Sequence, residues 1–245
     1  MPGFGFVSAA VTDIGLVRRR NEDAYLDRPD LGLWAVADGM GGHEAGDYAS
    51  ARIVEALNEI DRPDDPTAFA GRVCERLIAV DAELRKRAAM LGSGAVIGST
   101  VIVLIAAGAG FACVWAGDSR LYRRRAGVLV QLSTDHSRVR ELVSRGLLRE
   151  EEAESHPAAH IVTRAIGAGP VQPEIIEGEV CPGDVFLLCS DGLTRMLGAS
   201  EIAAQLAGPP ESAATRLRDL VLARGAVDNV TIVIVQVHEA TAHDR

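Results

Sequence analysis

The chain has 245 residues, of which 48% are hydrophobic, 24% are charged and 4% are aromatic. This composition excludes wholesale disorder and supplies enough aliphatic side chains for the core of one large domain. Lys and Arg number 25 against 34 Asp and Glu, which gives a formal net charge of −9. A surface this acidic is a poor partner for nucleic acid or an anionic membrane, and it suits a protein that binds cations or basic partners.

The first half of the chain alternates apolar runs with helically spaced apolar residues. In order, these patterns predict a strand over 4–11, a short buried strand over 33–37 that ends at Asp38, a helix over 46–60, a long amphipathic helix over 67–91 and paired strands within 97–116. The uncharged run 96–117 is long enough to cross a bilayer, so a membrane helix is the alternative there. Glycine turns at 98–100 and 108–110 interrupt the run and favour buried strands.

The second half of the chain predicts more strands and helices without regular βαβ alternation. In order, we expect strands near 119–124 and 129–132, two short charged helices within 136–168, a strand over 185–190, helices over 200–206 and 211–222, and a final strand over 230–237. This order predicts an α+β fold in which antiparallel sheets are flanked by helices. No repeat or low-complexity linker divides the chain, so we expect one domain over 1–245.

The cysteines and the N-terminal residues bear on the cellular compartment. Cys74, Cys113, Cys181 and Cys189 form no CxxC pair, and two of them lie within apolar runs. We therefore expect buried free thiols in a reducing compartment, not a disulfide framework or a zinc site. No basic segment followed by a long apolar stretch opens the chain, so no signal peptide is expected and the predicted location is cytoplasmic.

Four aspartates lie at the ends of predicted strands. Asp38, Asp118 and Asp191 each follow a strand, and Asp228 precedes one. Taken singly, each residue could simply punctuate a turn, because Asp and Gly are common there. Taken together at one rim of a sheet, the four carboxylates would repel one another, and divalent cations would relieve that repulsion. Ligands that are all oxygen atoms favour magnesium or manganese.

A second charged cluster precedes the first of these aspartates. Three consecutive arginines, Arg18 to Arg20, stand beside Asn21, Glu22 and Asp23. One interpretation is a solvated run of charges on the surface. The functional interpretation is a planar guanidinium group that is presented to a phosphate beside a metal site.

Seven short motifs occur in a fixed order along the chain. They are Arg18-x-x-Asn21-Glu22-Asp23, Asp38-Gly39-Met40-Gly41-Gly42-His43, Gly98-Ser99-Thr100, Gly117-Asp118-Ser119-Arg120, Thr163-Arg164-Ala165-Ile166-Gly167, Ser190-Asp191-Gly192 and Asp228-Asn229-Val230-Thr231. Each motif alone is a weak signal, but the ordered set is specific. From about residue 12 to residue 237, the sequence resembles the metal-dependent PPM (type 2C) serine/threonine protein phosphatases in their bacterial form.

The resemblance implies a four-layer αββα sandwich, in which two antiparallel sheets are flanked by helices and the metals lie at one edge. It implies two core ions, Mn²⁺ or Mg²⁺. Asp38 would bridge both ions, the Gly39 carbonyl would complete one site, and Asp191 and Asp228 would bind the other ion. Asp118, together with Asp191, matches the position that holds a third, weaker ion in bacterial members.

Other matched positions take supporting roles in the resemblance. Glu22 would hold a metal-bound water, with Asp23 close by, and Ser119 and Asn229 would neighbour the ligands. Arg18 and Asp38 would be the catalytic residues, and Arg18 would bind the substrate phosphate and offset its charge. In the implied reaction, a water or hydroxide that bridges the two ions attacks phosphorus directly, without a covalent phospho-enzyme.

Two features bear on the details of this resemblance. Many eukaryotic members have a His after the Asp-Gly pair that is proposed as the general acid, and here that position is Met40. His43 is one substitute, although a His in a glycine turn is more often a supporting group. The segment 136–168 matches the variable flap beside the cleft. We expect the histidines of this flap segment to be exposed to solvent: His136, His156 and His160.

The leading hypothesis is a phosphatase that acts on phosphoserine and phosphothreonine in proteins. A metal-dependent hydrolase of small phosphoesters and a non-catalytic binding module on a decayed phosphatase fold are the alternatives, and the intact set of aspartates argues against decay. The resemblance implies phosphorylated proteins as partners, among them Ser/Thr kinases, the substrates of these kinases and forkhead-associated proteins. We expect a monomer that binds neither nucleic acid nor membrane.

Overall fold

The computed structural model describes residues 4–41, 45–61, 66–92, 94–153 and 156–240. Its strands are β1 (Phe4–Asp13), β2 (Asp23–Arg28), β3 (Leu33–Gly41), β4 (Ile97–Ser99), β5 (Val101–Ala107), β6 (Gly110–Ala116), β7 (Arg120–Arg125), β8 (Val128–Gln131), β9 (Glu174–Glu179), β10 (Val185–Cys189) and β11 (Val230–Glu239). Its helices are α1 (Ala45–Asn58), α2 (Pro66–Leu91), α3 (Arg138–Ser144), α4 (Glu150–Ala153), α5 (Asp191–Thr194), α6 (Ala199–Gln205) and α7 (Pro210–Ala223).

The strands form two antiparallel sheets. One sheet has the order β1-β11-β10-β7-β8, and the other has the order β2-β3-β5-β6-β9, with the short strand β4 paired to β3. In the first sheet, β1 and β11 pair along their whole length, from Phe4 opposite Glu239 to Asp13 opposite Val230. The N-terminal and C-terminal strands of the described chain therefore lie side by side.

Three clusters of buried side chains define four layers. The first cluster joins α1 and α2 to β3, β5 and β6, the second joins α5, α6 and α7 to β10 and β11, and the third lies between the two sheets. Strand side chains alternate between faces, so Val103 belongs to the first cluster while its neighbour Leu104 belongs to the third. The predicted α+β sandwich of antiparallel sheets flanked by helices is confirmed.

The alternative of a membrane helix over 96–117 is wrong, because this run forms β4, β5 and β6. β5 and β6 are apolar throughout because they contribute to a core on both faces, not because they meet lipid. Within the ranges that the structure describes, no helix is long and apolar enough to cross a membrane.

The main strand and helix predictions are confirmed within a few residues, but three short elements were not predicted. Charged residues begin and end β2, and Leu26 is its one buried side chain. In β9, buried positions are lacking, and exposed residues alternate with partly buried ones. Both strands lie at an edge of their sheet, where a strand pairs on one side only and can form with few buried apolar side chains. The single-turn helix α5 begins at Asp191.

The prediction that β3 ends at Asp38 is wrong. The strand continues to Gly41, because Gly39 to Gly41 pair with β4. The Asp-Gly pair is therefore part of a strand and not a turn.

All four cysteines are free thiols, as predicted, but only two of them are buried. Cys113 and Cys189 lie in the strands β6 and β10, whereas Cys74 and Cys181 are partly exposed. Burial raises the pKa of the Cys113 thiol well above its ordinary value and that of Cys189 to about 12. These two thiols therefore serve as small apolar side chains of the core.

Candidate functional site

The two sheets bring the predicted aspartates together at one end of the sandwich. Asp38 lies in β3, Asp118 follows β6, and Asp191 begins α5 directly after β10. Asp228 lies two residues before β11, which is antiparallel to β10, so Asp191 and Asp228 share one end of that sheet. The pairing of β2 with β3 adds Asp23, which stands directly opposite Asp38. Each of these carboxylates adds repulsion at Asp38.

The backbone at Asp38 is held by Ser99, the last residue of β4, and by Thr100, which follows it. Ser99 Oγ donates to the Asp38 carbonyl at 2.9 Å, and the Thr100 N–H donates to the same carbonyl at 2.9 Å. Thr100 Oγ1 accepts from the Asp38 N–H at 3.3 Å and shares a hydrogen bond of 2.7 Å with Ser119 Oγ. Ser119 therefore supports Asp38 through Thr100, which the sequence analysis did not assign to the site.

Gly39 is required by close backbone approach. A Cβ atom at this position would lie 2.1 Å from the Gly46 carbonyl oxygen and 2.6 Å from that of Glu22. The Gly39 N–H donates to the Glu22 carbonyl at 3.0 Å. The start of α1 and the segment before β2 can therefore pack onto β3 only where no side chain intervenes.

Asp23 is buried beside this strand with one carboxylate oxygen unsatisfied. Ser190 Oγ donates to Asp23 Oδ2 at 2.8 Å, whereas in the described part of the chain Oδ1 has no hydrogen-bond partner. Ser190 also accepts from the Thr231 N–H at 3.0 Å, so it connects β10, β11 and β2. A buried oxygen without a partner indicates that a group absent from the chain itself belongs beside it.

Asn229 fixes the loop that carries Arg18 and Glu22. Its Nδ2 donates to the carbonyls of Ile14 and Arg20 at 2.9 Å each, and its Oδ1 accepts from the Glu22 N–H at 2.9 Å. Asn229, which directly precedes β11, thus positions the loop between β1 and β2. The predicted supporting role of Asn229 stays a prediction with respect to metal, but its structural reason is clear.

Two guanidinium groups contact Asp191 and Asp228, the aspartates beside β10 and β11. The guanidinium group of Arg18 contacts Asp228 in a bidentate manner, from Nε to Oδ1 at 2.8 Å and from NH2 to Oδ2 at 2.9 Å. Arg195 donates NH1 to Asp228 Oδ2 at 2.9 Å, and its NH2 pairs with Asp191 Oδ2. The sequence analysis did not single out Arg195. The available signal was its position four residues after Asp191, where side chains meet across a helical turn.

Burial and repulsion by neighbouring carboxylates raise the pKa values of five carboxyl groups of the site: Glu22, Asp23, Asp38, Asp118 and Asp191. Burial, with repulsion by Asp191, raises the pKa of Asp118 to about 7. Burial likewise raises the pKa of Asp23 to about 7, although the hydroxyl groups of Thr231 and Ser190 act to lower it. Burial and repulsion by Asp23 raise the pKa of Asp38 well above its ordinary value. Burial also raises the pKa values of Asp191 and Glu22.

The donor set fits a hard divalent cation, although its side chains are not yet gathered around one point. Among the described residues, no three Asp, Glu, His or Cys side chains already form a group that could hold a metal ion. Arg18 and Arg195 occupy the oxygens of Asp228, and Arg195 also pairs with one oxygen of Asp191. Clustered carboxylates with raised pKa values and the unsatisfied Asp23 Oδ1 are the features that a bound cation would relieve.

The flap segment contains α3 and α4, and its two ends are joined at their base. Ser137 and Val162 form an isolated β-bridge, and the Thr163 N–H donates to the His136 carbonyl at 2.8 Å. The prediction that His136 is exposed is wrong, because its ring stacks on Trp115 and is 7% exposed.

His136 packs close to a predicted ligand. Its Nδ1 accepts from the Gly117 N–H at 3.1 Å, next to Asp118, and its Nε2 faces Glu174 at 3.1 Å. His160 is exposed, as predicted. His156 is partly buried and accepts a backbone N–H of its own turn.

The position after Asp38-Gly39 provides no proton donor. Met40 lies in β3 opposite Gly98, and its thioether cannot donate a hydrogen bond. His43, the substitute considered from the sequence, lies outside the described residues.

Comparisons with known proteins agree with this geometry. A sequence profile described as Protein phosphatase 2C matches residues 18–219. Serine/threonine protein phosphatase PstP of Mycobacterium tuberculosis is 36% identical over 230 residues, which cover 94% of this chain and 44% of that protein. The chain therefore spans less than half the length of this relative.

Solved structures are similar over nearly the whole chain. The structure of PppA, described as a key regulatory component of T6SS in Pseudomonas aeruginosa, is 42% identical with a TM-score of 0.88, and the match covers 95% of this chain and 98% of that one. The catalytic domain of PstP in complex with 2 manganese ions is 34% identical with a TM-score of 0.84, and the match covers 96% and 99%.

Proposed function

Because the chain belongs to the protein phosphatase 2C family, we propose that it is a metal-dependent phosphatase that hydrolyses phosphoserine and phosphothreonine in proteins. The observation that carries this proposal is the cluster of partly buried aspartates around Asp38, in which burial and repulsion by neighbouring aspartates raise the pKa values of Asp38 and Asp118. A protein has little reason to bury so many carboxylates together unless a cation joins them.

The proposed core ligands are Asp38, the Gly39 carbonyl, Asp191 and Asp228, with Asp118 and Asp191 for a third, weaker ion. Bound Mn²⁺ or Mg²⁺ would supply an activated water for attack on phosphorus and would neutralise charge on the phosphoryl oxygens. The complex of PstP with manganese supports this choice of metal.

The remaining site residues orient these ligands. Ser119 acts through Thr100 on the backbone of Asp38, and Asn229 holds the loop that carries Glu22. Glu22 and Asp23 add carboxylate oxygens that can accept hydrogen bonds from water in the cleft.

Arg18 is the proposed phosphate-binding residue. Its side chain is 49% exposed, and its fork already grips a carboxylate, Asp228, in the geometry that also fits two phosphate oxygens. A phosphoryl group that enters the cleft would compete with Asp228 for this guanidinium group, which would then orient it. The leaving oxygen must be protonated by a donor other than Met40, because a thioether carries no proton.

The proposed substrates are phosphorylated proteins, including Ser/Thr kinases, their substrates and forkhead-associated proteins. The protein phosphatase PhpP of Streptococcus pneumoniae, 33% identical over 98% of its length, supports a phosphoprotein substrate. We propose one phosphatase domain for this chain, acting as a monomer, with the flap segment 136–168 beside the cleft.

The test is hydrolysis of a phosphothreonine peptide by purified protein. We expect phosphate release with Mn²⁺ or Mg²⁺ and none in EDTA, and we expect Asp38→Asn to abolish the release. Nucleotides and p-nitrophenyl phosphate, assayed in parallel, separate a protein phosphatase from a hydrolase of small phosphoesters by their kcat/KM values. The proposal fails if the wild-type protein with Mn²⁺ leaves the phosphopeptide intact, or if Asp38→Asn keeps full activity.

A further inference from the structure

Arg195 links two of the proposed metal ligands. Its NH1 donates to Asp228 Oδ2 at 2.9 Å, its NH2 pairs with Asp191 Oδ2, and 28% of its side chain is exposed. It is the C-cap residue that directly follows the short helix α5, which Asp191 begins. One guanidinium group therefore lies between carboxylates from two different segments of the sheet edge.

The contacts of Asp228 leave no room for a further partner. A carboxylate offers about four lone-pair sites. At Asp228, Oδ1 accepts from Arg18 Nε at 2.8 Å and from the Asn229 N–H at 2.9 Å. Oδ2 accepts from Arg18 NH2 and from Arg195 NH1, each at 2.9 Å. A cation can bind Asp228 only if at least one of these donors leaves.

Arg195 is the donor whose departure frees both ligands at once. Release of Arg18 would free Asp228 alone, and the Asn229 N–H belongs to the backbone that forms the turn before β11. Release of Arg195 frees one oxygen of Asp228 and one of Asp191 together.

We propose that Arg195 is an internal counter-ion that occupies the place of a metal between Asp191 and Asp228, and that a divalent cation must displace it to bind. Arg195 thereby stabilises the metal-free protein and weakens the metal affinity of the core site. This inference rests on the proposed function, in which these aspartates are ligands. It assigns Arg195 a positioning role, since the residue acts through the two carboxylates.

The experiment compares Arg195→Gln and Arg195→Lys with the wild type, and Arg218→Gln is the matched control. Arg218 pairs with Asp219 on the surface of α7, and its side chain is 30% exposed, close to the exposure of Arg195. Free Mn²⁺ is titrated by electron paramagnetic resonance, and the site that is counted is the one that Asp38→Asn removes. Melting temperatures are measured in EDTA and in saturating Mn²⁺.

We expect both Arg195 variants to bind Mn²⁺ more tightly than the wild type, by about threefold to tenfold for Gln, since ion pairs of this exposure contribute about 1 kcal/mol. Lys keeps the positive charge, but its point-like ammonium group on a different stem cannot reproduce the two-pronged bridge. In EDTA the Gln variant melts below the wild type, and in saturating Mn²⁺ the two melt together, because Arg195 contributes only before the metal enters.

Three results would overturn the inference. If Arg195→Lys has wild-type Mn²⁺ affinity and only Gln binds more tightly, the effect is one of net charge and not of displacement. If either variant binds Mn²⁺ more weakly, Arg195 helps to assemble the ligands. If Gln lowers the melting temperature equally with and without Mn²⁺, Arg195 stays in place when the metal binds.

These outcomes are separate from a failure of the proposed function, since the titration uses no substrate. Wild-type protein that binds Mn²⁺ at the Asp38 site but spares every phosphopeptide would refute the proposed activity and leave the role of Arg195 to stand or fall by the titration.

Discussion

Arginine–aspartate pairs occur in two regions of this protein, and the two regions differ in how the charges are matched. On the β7 side of the first sheet, Arg125 donates Nε and NH2 to the two oxygens of Asp184, each at 2.7 Å, and the Cys181 N–H completes the acceptor. Arg120 and Asp135 form a similar pair, with contacts of 2.7 Å and 3.0 Å. Each carboxylate there has its own guanidinium group.

At the candidate metal site, the aspartates outnumber the arginines that pair with them. Five aspartates lie there, and in the described part of the chain Arg18 and Arg195 are the arginines that form ion pairs with them, on Asp228 and Asp191. Asp23 keeps an unsatisfied oxygen, and the pKa of Asp38 is raised well above its ordinary value by burial and by its neighbours. The comparison indicates that the β7 pairs stabilise the fold, whereas the site keeps an excess of negative charge for a cation.

The largest expected effect is the loss of activity when either Asp38 or Asp228, two proposed metal ligands, is replaced. The two replacements should nevertheless change the stability of the metal-free protein in opposite directions. Asp38→Asn and Asp228→Asn should each lower kcat by about a thousandfold, because the metal supplies several kcal/mol to the reaction. Without metal, Asp38→Asn should raise the melting temperature, since it removes a carboxyl group whose ionised form is destabilised by burial and by neighbouring aspartates. Asp228→Asn should lower it, since Arg18 and Arg195 lose their partner. Phosphopeptide kinetics and melting in EDTA measure both. Changes of melting temperature with the same sign would contradict the contrast.

The second prediction concerns Arg125 and Asp184, an arginine–aspartate pair on the β7 side of the first sheet. Asp184→Asn should lower the free energy of unfolding by about 2 kcal/mol, because the fully buried carboxylate serves both Arg125 and the Cys181 N–H. This corresponds to a melting temperature lower by about 6 °C for a chain of this size. The kcat of the folded variant at saturating Mn²⁺ should equal that of the wild type. A loss of kcat would show that this region is not separate from the site.

The third prediction is the pH dependence of the metal-free protein. The pKa of Asp23 and that of Asp118 rise from 3.8 to about 7 in the folded state, so between these values the folded protein binds more protons than the unfolded one. Stability should therefore fall as pH rises from about 4 to 7. Burial lowers the pKa of His136, which acts in the opposite sense below its ordinary value of 6.5, but several carboxylates oppose this one group.

Melting in EDTA at pH 5, 6, 7 and 8 measures this slope, with saturating Mn²⁺ as the control. Bound metal keeps the carboxylates ionised, so the fall should flatten or reverse in Mn²⁺. Repetition with Asp118→Asn should reduce the slope in EDTA. A metal-free protein that grows more stable from pH 5 to pH 7 would contradict the excess of buried carboxylates.

The smallest expected effect is at a matched pair on the surface. Arg218→Gln, which breaks the contact with Asp219 on α7, should change the free energy of unfolding by less than about 0.5 kcal/mol. Urea unfolding measures it. A larger change would mean that arginine–aspartate pairs on the surface also stabilise the fold, and it would contradict the prediction that exposed pairs contribute little.

The sequence predicted much of the fold, because most elements carry a strong local pattern. The helical spacing of Phe69, Val73 and Leu77 anticipated α2, and the glycine turns within 96–117 anticipated β5 and β6. The edge strands β2 and β9 were not predicted, because they are short and contribute few buried side chains. The continuation of β3 beyond Asp38 depends on β4, about 60 residues later in the chain, and no local pattern could announce it.

The chemical identity of the site was determined by the sequence itself: which carboxylates stand at strand ends, which glycine follows Asp38, and which arginine precedes Glu22. Only the tertiary structure decided how those charges meet. It placed Asp23 opposite Asp38, and it put Arg18 on Asp228, 210 residues away. It also placed the guanidinium group of Arg195 between Asp191 and Asp228. The reason is physical: propensity and periodicity act over a few residues, whereas repulsion and ion pairing depend on distances in space that the packing of the two sheets sets.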